Sequence, residues 1–242
     1  MSERAAAIAE NAHAVQERLR VACIAAGRGP DSVQLLAVTK NFPATDVAHL
    51  LDLGCTAFGE AREQEGTAKV AELARLRPDA QPRWHVLGRL QRNKARSVAL
   101  WADRVESVDS VRLLSALDDA AGAALSGGIR TTPLEVLIQV SIDGDPSRGG
   151  CLPEASDALL DHAAAAEHVR LRGLMAVAPL DADPDEAFAA AHRLSVAMRK
   201  HYPDADELSI GMSGDLEVAV RHGSTCVRVG TALLGSRPIT ST

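Results

Sequence analysis

Along the chain, short runs rich in valine, leucine and isoleucine alternate with longer alanine-rich stretches whose apolar residues recur at three- and four-residue spacing. The short runs have the length and β-branched content of strands, and the longer ones have the period of helices packed along one face. Eight runs read as strands: VQLLAVT (33 to 39), TAFGE (56 to 60), RWHVLG (83 to 88), RVESV (104 to 108), LEVLIQVS (134 to 141), VRLRGLMAV (169 to 177), ELSIG (207 to 211) and TCVRVG (225 to 230). Between them, stretches such as ATDVAHLLDLG and DEAFAAAHRLSVAMRKH carry the helical period and stop at Gly, His or Pro signals. A further helix precedes the first strand, running to about Ala26 before the breaker GRGP. Strand and helix in strict alternation imply parallel pairing through right-handed crossovers. Eight such units fit a closed barrel better than an open doubly wound sheet of about five to seven strands. The expectation is therefore an α/β chain forming a single (β/α)8 TIM-type barrel with an extra N-terminal helix, residues 1–242 making one domain.

Composition narrows the partners. Of 242 residues, 46% are apolar and 24% charged, as in an ordinary globular chain with enough carbon for a sizeable core. The formal net charge is −6 and no Lys/Arg run is long enough to track a phosphate backbone, so nucleic acid is excluded as the expected partner. No stretch approaches the length of a membrane span, and the N-terminus MSERAAAIAENAHAVQERLR lacks the apolar centre of a secretory signal. A cytoplasmic protein is expected. Cys23, Cys55, Cys151 and Cys226 lie far apart without a C-x-x-C pair, which reads as reduced, mostly buried thiols and no metal site.

In a barrel, sites form where strand C-terminal ends meet the following loops, and Lys40 sits there, directly after the first strand. A lysine partly desolvated at that mouth suits Schiff-base chemistry; the same position also suits a lysine that extends to solvent. The last two strands lead into small-residue turns. SIGMSGD places Met212, Ser213 and Gly214 ahead of Asp215, which opens a helix, and VRVGTALLG places Gly230 and Thr231 after the eighth strand. Singly these are capping turns, but as a pair on adjacent strands they match the recurring barrel phosphate site. Arg228 lies between Val227 and Val229, so if the valines face the helices it points into the barrel, either towards a structural carboxylate or towards a ligand. Pyridoxal 5′-phosphate (PLP) accounts for all three features, having an aldehyde for Lys40, a phosphate for the turns and a ring nitrogen for Arg228.

The motifs LLAVTK, FGE, WHVLGRLQRNK, LRGLMAV, LSIGMSGDLEVAV and GSTCVRVGTALLG together span essentially the whole chain. By them the sequence resembles the PLP homeostasis (PLP-binding) protein family, whose barrel is similar to the N-terminal domain of alanine racemase. The resemblance implies that Lys40 forms the internal aldimine, that Met212, Ser213, Gly230 and Thr231 hold the phosphate, and that Arg228 faces the pyridine nitrogen. It also implies a role in buffering PLP or delivering it to apo-enzymes. The sequence leaves the oligomeric state open, a monomer included. The chain departs from the family at Ala61, where asparagine usually follows FGE.

In WHVLGRLQRNK, His85, Asn93 and Lys94 are further candidates to line the mouth; alternatively His85 is a hydrogen-bonded core residue and Gln91 to Arg96 form the solvated start of a helix. Arg148, in SIDGDPSRGG after the fifth strand, is a candidate to reach over the mouth. No catalytic residue is expected. Racemisation needs a proton acceptor on one face of the substrate carbanion and a donor on the other. In alanine racemase-like enzymes a tyrosine from an added β-domain supplies the second group. Here the chain ends at Thr242, just past the barrel, and the sole tyrosine, Tyr202, leads into the seventh strand at the opposite face. A PLP-dependent racemase or lyase of narrow scope is the alternative; an aldolase-type barrel enzyme using Lys40 on a sugar phosphate is a third reading.

Overall fold

In the computed structural model, residues 2–145, 149–179 and 182–236 are described. After helix α1 (Glu3–Ala25), strands and helices alternate: β1 (Gln34–Val38), α2 (Ala44–Asp52), β2 (Ala57–Glu60), α3 (Glu63–Leu76) and β3 (Arg83–Val86). A 3-10 turn (Arg92–Lys94) runs into α4 (Ala95–Ala99), followed by β4 (Arg104–Val108), α5 (Val111–Ser126), β5 (Leu134–Gln139) and α6 (Pro153–Ala165). The last units are β6 (Val169–Met175), α7 (Pro184–Arg199), β7 (Glu207–Ser209), α8 (Leu216–Arg221), β8 (Cys226–Val229) and α9 (Thr231–Leu234). Each strand pairs in parallel with the next, and β8 returns to β1 in the register Gln34 with Cys226 through Ala37 with Val229, closing the barrel. All eight expected strands are present. Several stop earlier than the apolar runs that announced them, as at Val86, Gln139, Met175 and Ser209, because the trailing residues turn out of the ladder into the loops that build the mouth.

Alternation sorts the strand residues into two layers. Outward residues such as Ala37, Phe58, Trp84, Val136 and Val227 pack beneath the helices in one large core, while Leu36, Ala57 and Cys226 form a separate small cluster inside the barrel. Helix α1 lies against α2, α8 and α9. Ser2 caps its start by accepting the Ala5 N–H at 3.2 Å, Arg4 pairs with Asp46 at 2.5 Å, and Asn11 donates to the Leu233 carbonyl at 3.1 Å. The extra helix therefore ties the first and last units of the barrel together.

The floor of the interior is an ion network. Arg104, only 1% exposed, donates to Glu135 at 2.5 Å and to Glu207 at 2.6 Å; Arg83 also pairs with Glu135 at 2.5 Å and Arg172 with Glu207 at 3.1 Å. Burial pushes the Glu135 carboxyl up, but Arg104 and Arg83 outweigh it and hold the group below the usual carboxylate range. A folded value below the unfolded one adds stability at neutral pH, and that stability is lost as pH falls through the folded value. Arg104→Met removes the buried cation shared by the two carboxylates, which keep only Arg83 and Arg172, and is expected to cost about 3 kcal/mol at pH 7, lowering Tm by on the order of 10 °C. In the variant Glu135 loses the Arg104 charge that holds its carboxyl low, so the deficit should narrow as pH falls from about 7 to about 4. Thermal melts of both proteins across that range check it; a deficit that widens on acidification contradicts the network's role.

Candidate functional site

The parity of β1 sets the direction of Lys40. Leu36 points into the barrel and Ala37 into the outer core, and the ladder extends one residue past the strand through the Thr39 N–H to the Gly59 carbonyl at 3.0 Å. Thr39 therefore faces outward and Lys40 inward, towards the mouth, where it is half-buried. Thr39 is fully buried: its hydroxyl donates to Glu60 Oε1 at 2.6 Å and its carbonyl accepts from Lys69 Nζ at 2.7 Å. Lys69 Nζ also reaches Glu60 Oε1 at 2.6 Å and Glu65 Oε1 at 3.1 Å. Burial pushes the Glu60 carboxyl above its ordinary range against the pull of Lys69 and Thr39, and its Oε2 has no hydrogen-bond partner among the described residues. On the other side of Lys40, Asn41 adopts φ 66°, the one positive φ outside glycine among the described residues, and its N–H donates to Glu65 Oε1. Asparagine tolerates this conformation better than most side chains.

Arg228, on β8, does point into the barrel. Nη1 donates to the carbonyl and the hydroxyl of Ser209, each at 2.7 Å, and Nη2 donates to the Ala176 carbonyl at 2.8 Å. Nε makes no hydrogen bond among the described residues. Ser209 in turn donates to Glu106 Oε2 at 2.6 Å, and Glu106 Oε1 lies 2.6 Å from His85 Nδ1. Burial pushes the Glu106 carboxyl up, but His85, Arg228 and Ser209 together outweigh it and keep it below the usual range. A carboxylate only accepts, so the chain has one direction: Arg228 donates to Ser209, which donates to Glu106.

The two turns lie beside this pair. Gly211, at φ 93°, lets β7 bend sharply; a Cβ there would come within 2.4 Å of the Ala219 Cβ. Its carbonyl accepts the Arg228 N–H at 3.0 Å, which joins the Met212–Asp215 loop to β8. The Met212 N–H donates to Asp215 Oδ1 at 2.5 Å, so that N–H already faces an anionic oxygen. Arg18 of α1 braces the loop, donating to the Ser213 carbonyl at 2.7 Å and pairing with Glu217. Gly230 sits against β1, where a Cβ would lie 3.2 Å from the Val38 carbonyl oxygen, two residues before Lys40. Met212 and Thr231 are exposed and Ser213 partly so.

The remaining candidates separate. His85 is fully buried on Glu106, with Nε2 unpartnered among the described residues, and lies in the interior rather than on the rim. Asn93 is exposed in the 3-10 turn, and Lys94 pairs with Glu63 at 3.1 Å. Lys94 lines a cleft of about 990 Å³ formed by the loops after β2, β3 and β4, together with Ala61, Glu65, Arg89 and Arg112. Arg148 lies outside the described residues. Tyr202 bonds to Asp161 between α7 and β7, on the face opposite the mouth, and that bond together with burial pushes its hydroxyl up to about 12. Sequence reasoning missed Glu60, Lys69, Glu106 and Ser209; the signal present for Glu60 was a carboxylate ending a strand of otherwise apolar character.

Comparison with known proteins bears on the fold and the family. The family described as "Alanine racemase, N-terminal domain" matches residues 5–238. The pyridoxal phosphate homeostasis protein of Mycobacterium tuberculosis is 52% identical over 237 residues, covering 94% of this chain and 92% of the relative. Its Escherichia coli counterpart is 37% identical over 233 residues, covering 95% and 97%. Among solved structures, PipY of Synechococcus elongatus with PLP bound superposes with a TM-score of 0.80 at 37% identity, covering 94% of this chain and all of PipY. Alanine racemase of Corynebacterium glutamicum shares the fold at 18% identity, with a TM-score of 0.68. With this barrel and these relatives, the chain belongs to the pyridoxal phosphate homeostasis protein family, built on the alanine racemase N-terminal domain.

Proposed function

We propose that this protein binds PLP reversibly through Lys40 and serves the cell's vitamin B6 balance by holding the cofactor and handing it to apo-enzymes, without turning over amino acids. The reading places it in the cytoplasm, as a one-domain barrel able to act as a monomer. The observation that carries it is the pairing at one mouth of an inward lysine with an arginine pinned by three acceptors and unpartnered at Nε.

The residues present fit the cofactor. PLP, when bound, supplies an aldehyde whose carbon is attacked by a primary amine with loss of water. Lys40 offers that amine from the end of β1. The Met212–Asp215 loop and the Gly230–Thr231 turn offer small residues and the Ser213 and Thr231 hydroxyls, while the Met212 N–H is taken by Asp215 Oδ1. Arg228 donates and cannot accept, so a pyridine nitrogen facing it accepts and carries no proton. From α1, Arg18 holds the Met212–Asp215 loop through the Ser213 carbonyl, and Asn11 holds α9 through the Leu233 carbonyl.

Two features favour holding over turnover. An unprotonated ring withdraws less charge from a carbanion, and the sole tyrosine lies on the opposite face with its hydroxyl tied to Asp161. No helix among the described residues is long and apolar enough to cross a membrane.

Lys40→Ala should abolish the near-ultraviolet or visible band of the PLP-loaded protein while leaving the melting curve unchanged. Borohydride reduction of the wild type should fix the added mass on the Lys40 peptide. An unchanged band in the variant removes Lys40 from the role. Ser213→Asp places a like charge beside the phosphate and should weaken PLP binding by roughly a hundredfold. Ser126→Asp, at the end of α5 on the opposite face, should leave it unaltered; fluorescence titrations giving equal affinities move the phosphate elsewhere. Deuterium incorporation at the α-carbon of a panel of amino acids, followed by NMR, should not exceed that with free PLP. Fast stereospecific exchange would promote the racemase reading.

A further inference from the structure

Lys69 and its carboxylates occupy the layer between sheet and helices, the layer that also holds the buried apolar core with Phe58, Leu73 and Trp84. Lys69 is 5% and Glu60 1% exposed. Placing these groups in such a layer is expensive, and apolar side chains of similar volume would stabilise the fold as well or better. What apolar side chains could not do is direct hydrogen bonds onto a chosen stretch of backbone.

That stretch is Thr39–Lys40–Asn41. The Thr39 hydroxyl is taken by Glu60, and its carbonyl by Lys69 at 2.7 Å together with the Phe42 N–H at 3.1 Å. The N–H of Asn41 is taken by Glu65, which is itself bound to Lys69. One cluster thus grips the residues on either side of Lys40. Side chains alternate along an extended strand, so fixing Thr39 outward fixes Lys40 inward; a shift of one residue would send the amine into the helix layer.

We propose that Lys69, acting with Glu60 and Glu65, is the positioning residue for Lys40. It sets the face from which the amine leaves β1, so that capture of an aldehyde depends on it while phosphate and ring binding do not. The proposal rests on Lys40 being the attachment point.

The split between two ligands tests it. PLP carries the aldehyde; pyridoxine 5′-phosphate carries an alcohol in its place and makes the same phosphate and ring contacts. Two variants are used: Thr39→Val, which removes one hydroxyl from the grip, and the paired Glu60→Gln with Lys69→Met, which removes both charges together so that neither is left buried alone. In each, PLP affinity should fall by on the order of tenfold or more, with a weakened absorption band, while affinity for pyridoxine 5′-phosphate stays within about twofold. Equal losses for the two ligands would reduce the cluster to a general structural role and overturn the proposal, as would unchanged PLP affinity in both variants. Lys40→Ala, measured alongside, separates the two readings: if its band persists, the attachment point is elsewhere; if it vanishes while the cluster variants bind PLP normally, only the positioning role fails.

Discussion

Every second residue of eight parallel strands has to share one narrow interior, and in this chain that interior is filled with charge as well as with carbon. Buried charge is tolerated only where it is paired and its remaining hydrogen-bonding capacity is met. The interior accordingly closes on itself level by level. Arg104, Glu135 and Glu207 seal the floor; Leu36, Ala57 and Cys226 form an apolar band; His85, Glu106 and Ser209 lead up to Arg228. Each level limits the next. Because Glu106 is committed to His85 and Ser209, Ser209 has its hydroxyl proton turned away from Arg228 and its lone pairs towards it. Because Ser209 and the Ala176 carbonyl take both Nη groups, the guanidinium has little freedom to swing out of the mouth.

The architecture was legible because it is repetitive. Eight apolar runs separated by helical periods admit few topologies, and the end of each strand could be placed to within a few residues. The placement of Lys40, Arg228 and the two turns at the barrel mouth was legible because strand parity and strand ends fix which residues face it. The partners of those residues were not. Thr39 meets Lys69 across 30 positions, and Ser209 meets Glu106 across 103. A glutamate in RVESV or a lysine in EQEGTAKV carries no local sign that it will be buried against a particular strand. The 3-10 turn at Arg92–Lys94 escaped for a related reason, since three polar residues before a short helix read equally well as its first turn. His85 could be framed as a choice between core and rim, and only the position of Glu106 opposite it resolves that choice in favour of the core.

Direction within the hydrogen-bond chain bears most on what such a site does with a cofactor. Starting from a carboxylate that only accepts, the donors run from Arg228 through Ser209 to Glu106 without an ambiguous link. A ring nitrogen presented to Arg228 on the proposed placement therefore meets a donor, and a protonated nitrogen there would set two donors against each other in a desolvated site. On that placement, the electron-sink form of the ring would be disfavoured by the same bonds that keep the guanidinium in place. Strengthening the sink would take more than exchanging Arg228 for an acid, because the Ser209 and Ala176 carbonyls would lose their donor and Glu106 would lose a cation that favours its charged form. The floor of Arg104, Glu135 and Glu207 and the chain from His85 through Glu106 and Ser209 to Arg228 are closed by their own hydrogen bonds, so the interior is held in place by residues of the barrel itself.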